Sequence, residues 1–176
     1  DYALLSAPGA PLKQALLDAK IGKDIYGSFE DGIKQTYFSI VAKGANLSQK
    51  EEFVKVIRDT LTKIAEEGID KKAVTAGINY YEFRFREADF SSYPKGLMYG
   101  LDILSSWLYD DTKPFCEVQL LEGFEFLKKA LEEGYFEDLI RKYLLDNTHG
   151  AILSLVPEKG LAAKRDKELE EKLESY

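Results

Sequence analysis

The sequence predicts an α+β domain in which an antiparallel sheet packs against several helices. Three observations carry this expectation. Residues 24–30 and 35–42 are rich in Ile, Val, Tyr and Phe and flank the turn pair Asp31 and Gly32, which is a hairpin pattern. Apolar residues recur at helical spacing in three stretches: Phe53, Ile57, Leu61 and Ile64; Val74, Ile78, Tyr81 and Phe85; Leu97, Leu101, Leu104 and Leu108. The short apolar run AILSLV at 151–156, stopped by Pro157, reads as a third strand.

In chain order, DYALLS at 1–6 reads as the last turns of an apolar helix, stopped by APGAP at 7–11. The sequence begins without Met, so a cut through a longer polypeptide is expected, with a processed terminus as the alternative. Pro11 opens a short helix over 12–19 that ends by Gly22. The hairpin loop has Ile33 and Lys34 to spare, so it can exceed two residues. Ser48 and Glu51 have capping-box spacing at the start of the next helix, and Gly68 closes it. Asp70 can cap a helix that runs through Ala88.

Most of the information lies in 79–100, NYYEFRFREADFSSYPKGLMYG. Tyr80 and Phe83 fall off the Val74–Phe85 stripe, so this helix is expected to be covered on a second side. In the following helix, Gly96 and Gly100 share a face with Ile103 and Trp107. Each glycine costs about 1 kcal/mol relative to alanine, and close approach of another backbone is the expected return. After a loop at 110–114 come helices over 117–131 and 136–144, split by Gly134. Residues 160–176 form a charge-rich helix with Lys164–Glu168, Lys167–Glu171 and Glu168–Lys172 at i,i+4 spacing. Its few leucines bury little. The organisation expected is a domain over 1–157 and a connector helix over 158–176.

Length and composition fit one domain: the chain has 176 residues, 45% hydrophobic and 31% charged. A net charge of −7 without a basic block argues against a nucleic-acid surface. The lone Cys116 leaves no internal disulfide. No apolar run approaches the roughly 20 residues needed to cross a bilayer.

The chemical inventory excludes more than it offers. His149 is the one histidine, so neither H-x-x-E-H nor H-E-x-x-H occurs in the chain. Cys116 and His149 have no zinc-ligand spacing. They can be read as a nucleophile pair, or as a structural thiol and a turn residue. No catalytic or metal-ligating residue is named. Arg84, Arg86, Glu87 and Asp89 form the densest charged group beside aromatics. Structurally, Glu82–Arg86 is an i,i+4 pair and Arg84 can stack on Tyr80. Functionally, the same group is a polar surface that holds an extended peptide or a partner domain. Tyr80, Phe83 and Arg84 are therefore the candidate partner- or peptide-facing residues.

The segments SAPGAPLKQALLDAKIG, YGSFEDGIKQTYFSIVAKGA, EGIDKKAVTAGINYYEFRFREADFSSYPKGLMYGLDILSSWLYD and LVPEKGLAAKRDKELEEKLESY together resemble the presequence-protease branch of the pitrilysin and insulinase zinc metallopeptidases. The likeness covers nearly the whole chain and is most specific over 78–109. It is closest to the second, non-catalytic domain of the family's N-terminal half. The resemblance implies a pitrilysin-type domain lacking its first strand. It also implies a parent chain that encloses unfolded peptides in a chamber of related domains and cuts them with zinc. The family's metal ligands, two histidines of H-x-x-E-H and a distal glutamate, belong to another domain. No cofactor is expected in this segment and zinc is expected in the parent. Expected partners are the other domains of the same polypeptide and the peptide substrate, with neither nucleic acid nor membrane. Self-association of this segment is expected as well. The implied location is the cytoplasm of a bacterium or an organelle matrix of a eukaryote. A free-standing interaction module with the same fold is the alternative.

Overall fold

The computed structural model of the chain describes residues 1–88 and 90–175, so Asp89 and Tyr176 of the expected elements lie outside it. The chain enters on a π-helical turn, Tyr2–Ser6, whose Leu4 and Leu5 are buried. Helix α1, Pro11–Asp18, has proline at its start, where the missing N–H had no partner to lose. Strands β1, Asp24–Glu30, and β2, Tyr37–Lys43, pair antiparallel with Ser28 opposite Ser39. The connecting loop spans residues 31–36, longer than a two-residue turn.

Five longer helices and a short one follow. They are α2 (Lys50–Glu67), α3 (Lys71–Glu87), α4 (Lys95–Trp107), α5 (Leu121–Ala130), α6 (Tyr135–Ile140) and α7 (Leu161–Glu174). A π-helical turn, Arg141–Leu145, extends α6. Asp70 caps α3 as expected, accepting from the N–H groups of Lys72 at 2.9 Å and Ala73 at 3.2 Å. The capping box before α2 differs from the Ser48–Glu51 pair expected. A 3₁₀ turn, Leu47–Gln49, precedes the helix, so the pairing moves upstream: the Asn46 N–H donates to Gln49 Oε1 at 3.1 Å. Gln49 Nε2 also donates to the carbonyl of Lys20 at 3.1 Å, tying the start of α2 to the end of α1. A separate 3₁₀ turn, Cys116–Val118, likewise delays α5 relative to the sequence expectation.

The main core lies where α1 and α2 cover the hairpin. Leu12, Leu16, Ile21 and Ile25 are completely buried there, with Leu61, Ile64 and Ile140 closing around them. A smaller cluster joins Val74 and Ile78 of α3 to Leu131, with Phe124, Leu127 and Phe136 packed against it. The two clusters are fastened by polar contacts. The Ile69 N–H donates to buried Glu137 Oε1 at 2.8 Å, Lys71 pairs with Glu132 at 2.6 Å, and Arg141 Nη2 donates to the Ala65 carbonyl.

Two expectations fail, for one physical reason. Residues 151–156 are not a strand, and the sheet has two strands among the described residues. From 147 to 158 the backbone makes no helix, turn or bend, and Leu153 and Leu155 are 89% and 99% exposed. Helix α4 buries no residue; Leu97, Leu101, Leu104, Leu108 and Trp107 are all exposed. A methyl added at Gly96 or Gly100 meets nothing within 4 Å, so among the described residues no other backbone approaches them closely. Period and propensity describe the face an element presents. Burial and pairing need a neighbour: among the described residues α4 meets the short 3₁₀ turn Cys116–Val118, which leaves its leucines exposed, and no strand pairs with 151–156.

The glycines divide accordingly. At Gly27 a methyl would collide with the Ser39 carbonyl and lie 2.6 Å from Leu5 Cδ1. Gly27→Ala is expected to destabilise the chain by about 1–3 kcal/mol through overpacking. Gly100→Ala is expected to stabilise it by about 1 kcal/mol through helix propensity. Urea melts of the two variants read opposite signs if this account holds.

Candidate partner-facing surface

Helix α3 presents its apolar stripe inward only at its first half. Val74 and Ile78 are buried, whereas Tyr81 is exposed and Phe85 is half-buried beside Phe124 of α5, ring centroids 5.8 Å apart. Tyr80 and Arg84 meet as the spacing predicts. Arg84 Cζ lies 5.7 Å from the Tyr80 ring centroid, and Nη1 donates to the Tyr80 hydroxyl at 3.4 Å. Phe83 stands apart from them and is 63% exposed.

The structure adds a residue that sequence reasoning missed. Tyr2 stacks on Tyr80 at 5.9 Å and meets Tyr81 edge-on at 6.0 Å, so part of the second aromatic side is already covered by the chain's own first turn. Gly77 makes room: a methyl there would stand 2.7 Å from Tyr2 Cδ1. A glycine one turn before an aromatic in a helix was the available signal. The tyrosine it accommodates lies 75 positions upstream, beyond any local pattern.

The charged group resolves into a clamp. Glu82 is buried on α3. Its Oε1 accepts from Arg86 Nη2 at 2.6 Å and Nε at 2.8 Å, and its Oε2 pairs with Lys128 of α5 at 2.6 Å. The bonds from Lys128, and then from Arg86, hold the Glu82 carboxyl below the usual carboxylate range. Glu82 is thus a tether between α3 and α5, leaving Phe83 and the outer side of Tyr80 and Arg84 to face outward. The other candidates stay separate. The His149 N–H donates to Asn147 Oδ1 at 2.8 Å, the turn role expected of that site, and Cys116 Sγ donates to Glu117 Oε1 at 3.6 Å. Among the described residues, no group of three His, Cys, Asp or Glu side chains converges as a metal site requires. No described helix is long and apolar enough to cross a membrane.

A wide concavity of about 2460 Å³ opens between β2, α2 and residues 149–157 and reaches Tyr2, Ile78 and Tyr81 on the near side.

With this geometry in hand, comparison with known proteins defines the class. No family model matches the chain. It is 47% identical over 173 residues to Protein HypA of Clostridium perfringens, covering 98% of this chain and 18% of that protein. It is 36% identical over 177 residues to Presequence protease 1, chloroplastic/mitochondrial, of Arabidopsis thaliana, covering 98% of this chain and 16% of that one. The mitochondrial presequence protease of Xenopus laevis is 26% identical over 174 residues. The chain corresponds to a segment of a peptidase, spanning less than a fifth of the length of these relatives. By these matches and its α+β fold, it is related to the presequence proteases.

Two outcomes test the surface. Because the Glu82 carboxyl is depressed, its stabilisation is fully present above the unfolded-state value of about 4.3 and is lost as pH falls through the lower folded value. Glu82→Gln should therefore lower the melting midpoint at neutral pH, by an amount that shrinks as both proteins are taken below about pH 4. Phe83→Ala, at an exposed position, should cost the isolated chain no more than about 0.5 kcal/mol. A loss well above that would mean that Phe83 packs within the chain and is not an outward-facing surface residue.

Proposed function

We propose that this chain is a non-catalytic wall domain of a zinc-dependent peptidase that degrades unfolded peptides. The observation that carries the reading is the alignment of 98% of the chain with less than a fifth of a named presequence protease. The unpartnered surfaces support it. An exposed leucine face on α4 and an open groove beside β2 are what a domain presents when its neighbours are other parts of a larger molecule. In this reading residues 1–157 shape the enclosure and hold the catalytic domain. Helix α7, which buries no residue, then carries the chain on as the connector over 158–176.

Zinc belongs to the parent. The donor groups present do not fit it: the one histidine bonds within its own turn through its backbone, the thiol lies beside Glu117, and no described cluster offers three ligands. No catalytic step is assigned to any residue here. The partners are the remaining domains of the polypeptide and the enclosed peptide, with Tyr80, Phe83 and Arg84 as the surface that meets one of them. The net charge of −7 disfavours nucleic acid as a third. The relatives' names place those proteins in mitochondria or chloroplasts. For this chain we infer an organelle matrix in a eukaryote, or the cytoplasm in a bacterium.

The test is to treat the chain with chelator, reload it with zinc, and measure bound metal beside hydrolysis of a fluorogenic peptide. The expected result is well under one zinc per chain and no turnover. One tightly held zinc with turnover would overturn the reading.

A further inference from the structure

Helix α4 has a bare side whose composition its own chain does not explain. Leu97, Leu101, Leu104, Trp107 and Leu108 are exposed there, whereas Met98, Asp102, Ile103 and Ser105 are half-buried. Gly96 and Gly100 lie one turn apart beside the leucines. Neither has a positive φ, and a methyl at either meets nothing within 4 Å, so no turn and no contact among the described residues calls for glycine. Glycine weakens a helix. Its use on an open face is to let another backbone or a large side chain come close.

The charges of α4 are arranged along its length. Between Tyr93 and Tyr109 the charged residues are Lys95 and Asp102, and at about 3.6 residues per turn both fall on the side away from the leucines. The bare stripe therefore carries no charge, but its two ends do. The first turn of α4 holds no acid and the last turn no base, so neither end of the helix dipole is neutralised from within. Lys95 adds to the positive end, where its Nζ reaches the Glu87 carbonyl at 3.4 Å. Asp110 and Asp111 add to the negative end, where Lys113 pairs with Asp110 at 3.3 Å and Asp111 stands exposed.

We propose that α4 is a dimerisation helix, pairing antiparallel with α4 of a second copy about a two-fold axis between Leu101 and Leu104. Three features meet at that one register. The leucines at 97, 101, 104 and 108 are spaced by four, three and four, which reads the same in both directions. Reversal therefore sets Leu97 against Leu108 and Leu101 against Leu104. Gly96, Gly100 and Trp107 lie on one edge of the stripe, and a two-fold axis brings like edges together. Each Trp107 then enters the gap between Gly96 and Gly100 of the other copy. The same register lays Lys95 beside Asp110 and Asp111 of the other copy, twice by symmetry, and opposes the two helix dipoles. The pairing goes beyond the wall-domain role and is independent of it, since that role leaves the neighbour of this face open.

The test follows the 176-residue chain from low to high micromolar concentration by sedimentation velocity and by fluorescence. Trp107 is the one tryptophan, so its emission reports the interface directly. The expected result is a monomer–dimer equilibrium with a dissociation constant of about 10–100 µM, as suits a small interface of one helix per copy. Trp107 emission should shift to the blue in step with the dimer. Leu101→Glu, at an exposed position, should abolish both changes and leave the melting midpoint of the dilute chain unmoved. Gly100→Leu should raise that midpoint through helix propensity, yet weaken the dimer about tenfold or more by filling the gap. Lys95→Glu or Asp111→Lys alone should weaken the dimer by about threefold to tenfold, and the two together should restore it. A chain that stays monomeric throughout overturns the proposal and gives the face to another part of a longer polypeptide. A dimer that survives Leu101→Glu and Gly100→Leu overturns it as well, by assigning association to a different surface. A charge swap that fails to restore the dimer overturns the antiparallel register.

Discussion

Everything in this chain hangs on one packing event, the enclosure of Leu12, Leu16, Ile21 and Ile25 between α1, α2 and the hairpin. Burying side chains of this size stabilises by roughly 1.5–3 kcal/mol each, and among the described residues these are the largest side chains fully removed from water. The hairpin cannot stand without it, because two strands alone are marginal in water. Helix α2 in turn is aligned by it, with Gln49 reaching the Lys20 carbonyl at one end and Arg141 gripping the Ala65 carbonyl at the other. The second cluster, around Val74, Ile78 and Leu131, is smaller and leans on the first through Glu137 and Ile69.

That dependence explains which parts of the fold were legible. The hairpin, α1, the Asp70 cap and the positive-φ stops at Gly68 and Gly134 are written in signals a few residues long, and each is found where the sequence places it. The capping box expected at Ser48 and Glu51 forms two positions earlier, where Asn46 and Gln49 satisfy the same chemistry. Helix α4 and the run 151–156 were read correctly as apolar and wrongly as buried or paired. The leucines of α4 recur at the right period, yet all four stay exposed. An apolar stripe reports a demand for a neighbour and carries no information about whose chain provides it.

The candidate surface shows the same division. Tyr80 and Arg84 pair because residues four apart on a helix are neighbours, and that much was visible. Tyr2 was not, since its contact with Tyr80 spans the sequence distance from the first turn to α3. Nor was the role of Glu82. It looked like half of a local pair with Arg86, but Lys128 reaches it from α5. A buried carboxylate that accepts from two cations is fixed in place by both. The consequence is a firm base under Phe83, whose ring stands outward from the same turn of helix.

The order of the core residues has a consequence for how the molecule is made. Nine of the ten residues in the main cluster lie between Leu4 and Ala65, and the tenth is Ile140. Chains emerge from the ribosome N-terminus first and fold by units as they do. The hairpin, α1 and α2 therefore carry nearly their whole core upstream of α3. Ile140 is made about 75 residues after Ala65, several seconds later at ordinary elongation rates, and completes the cluster.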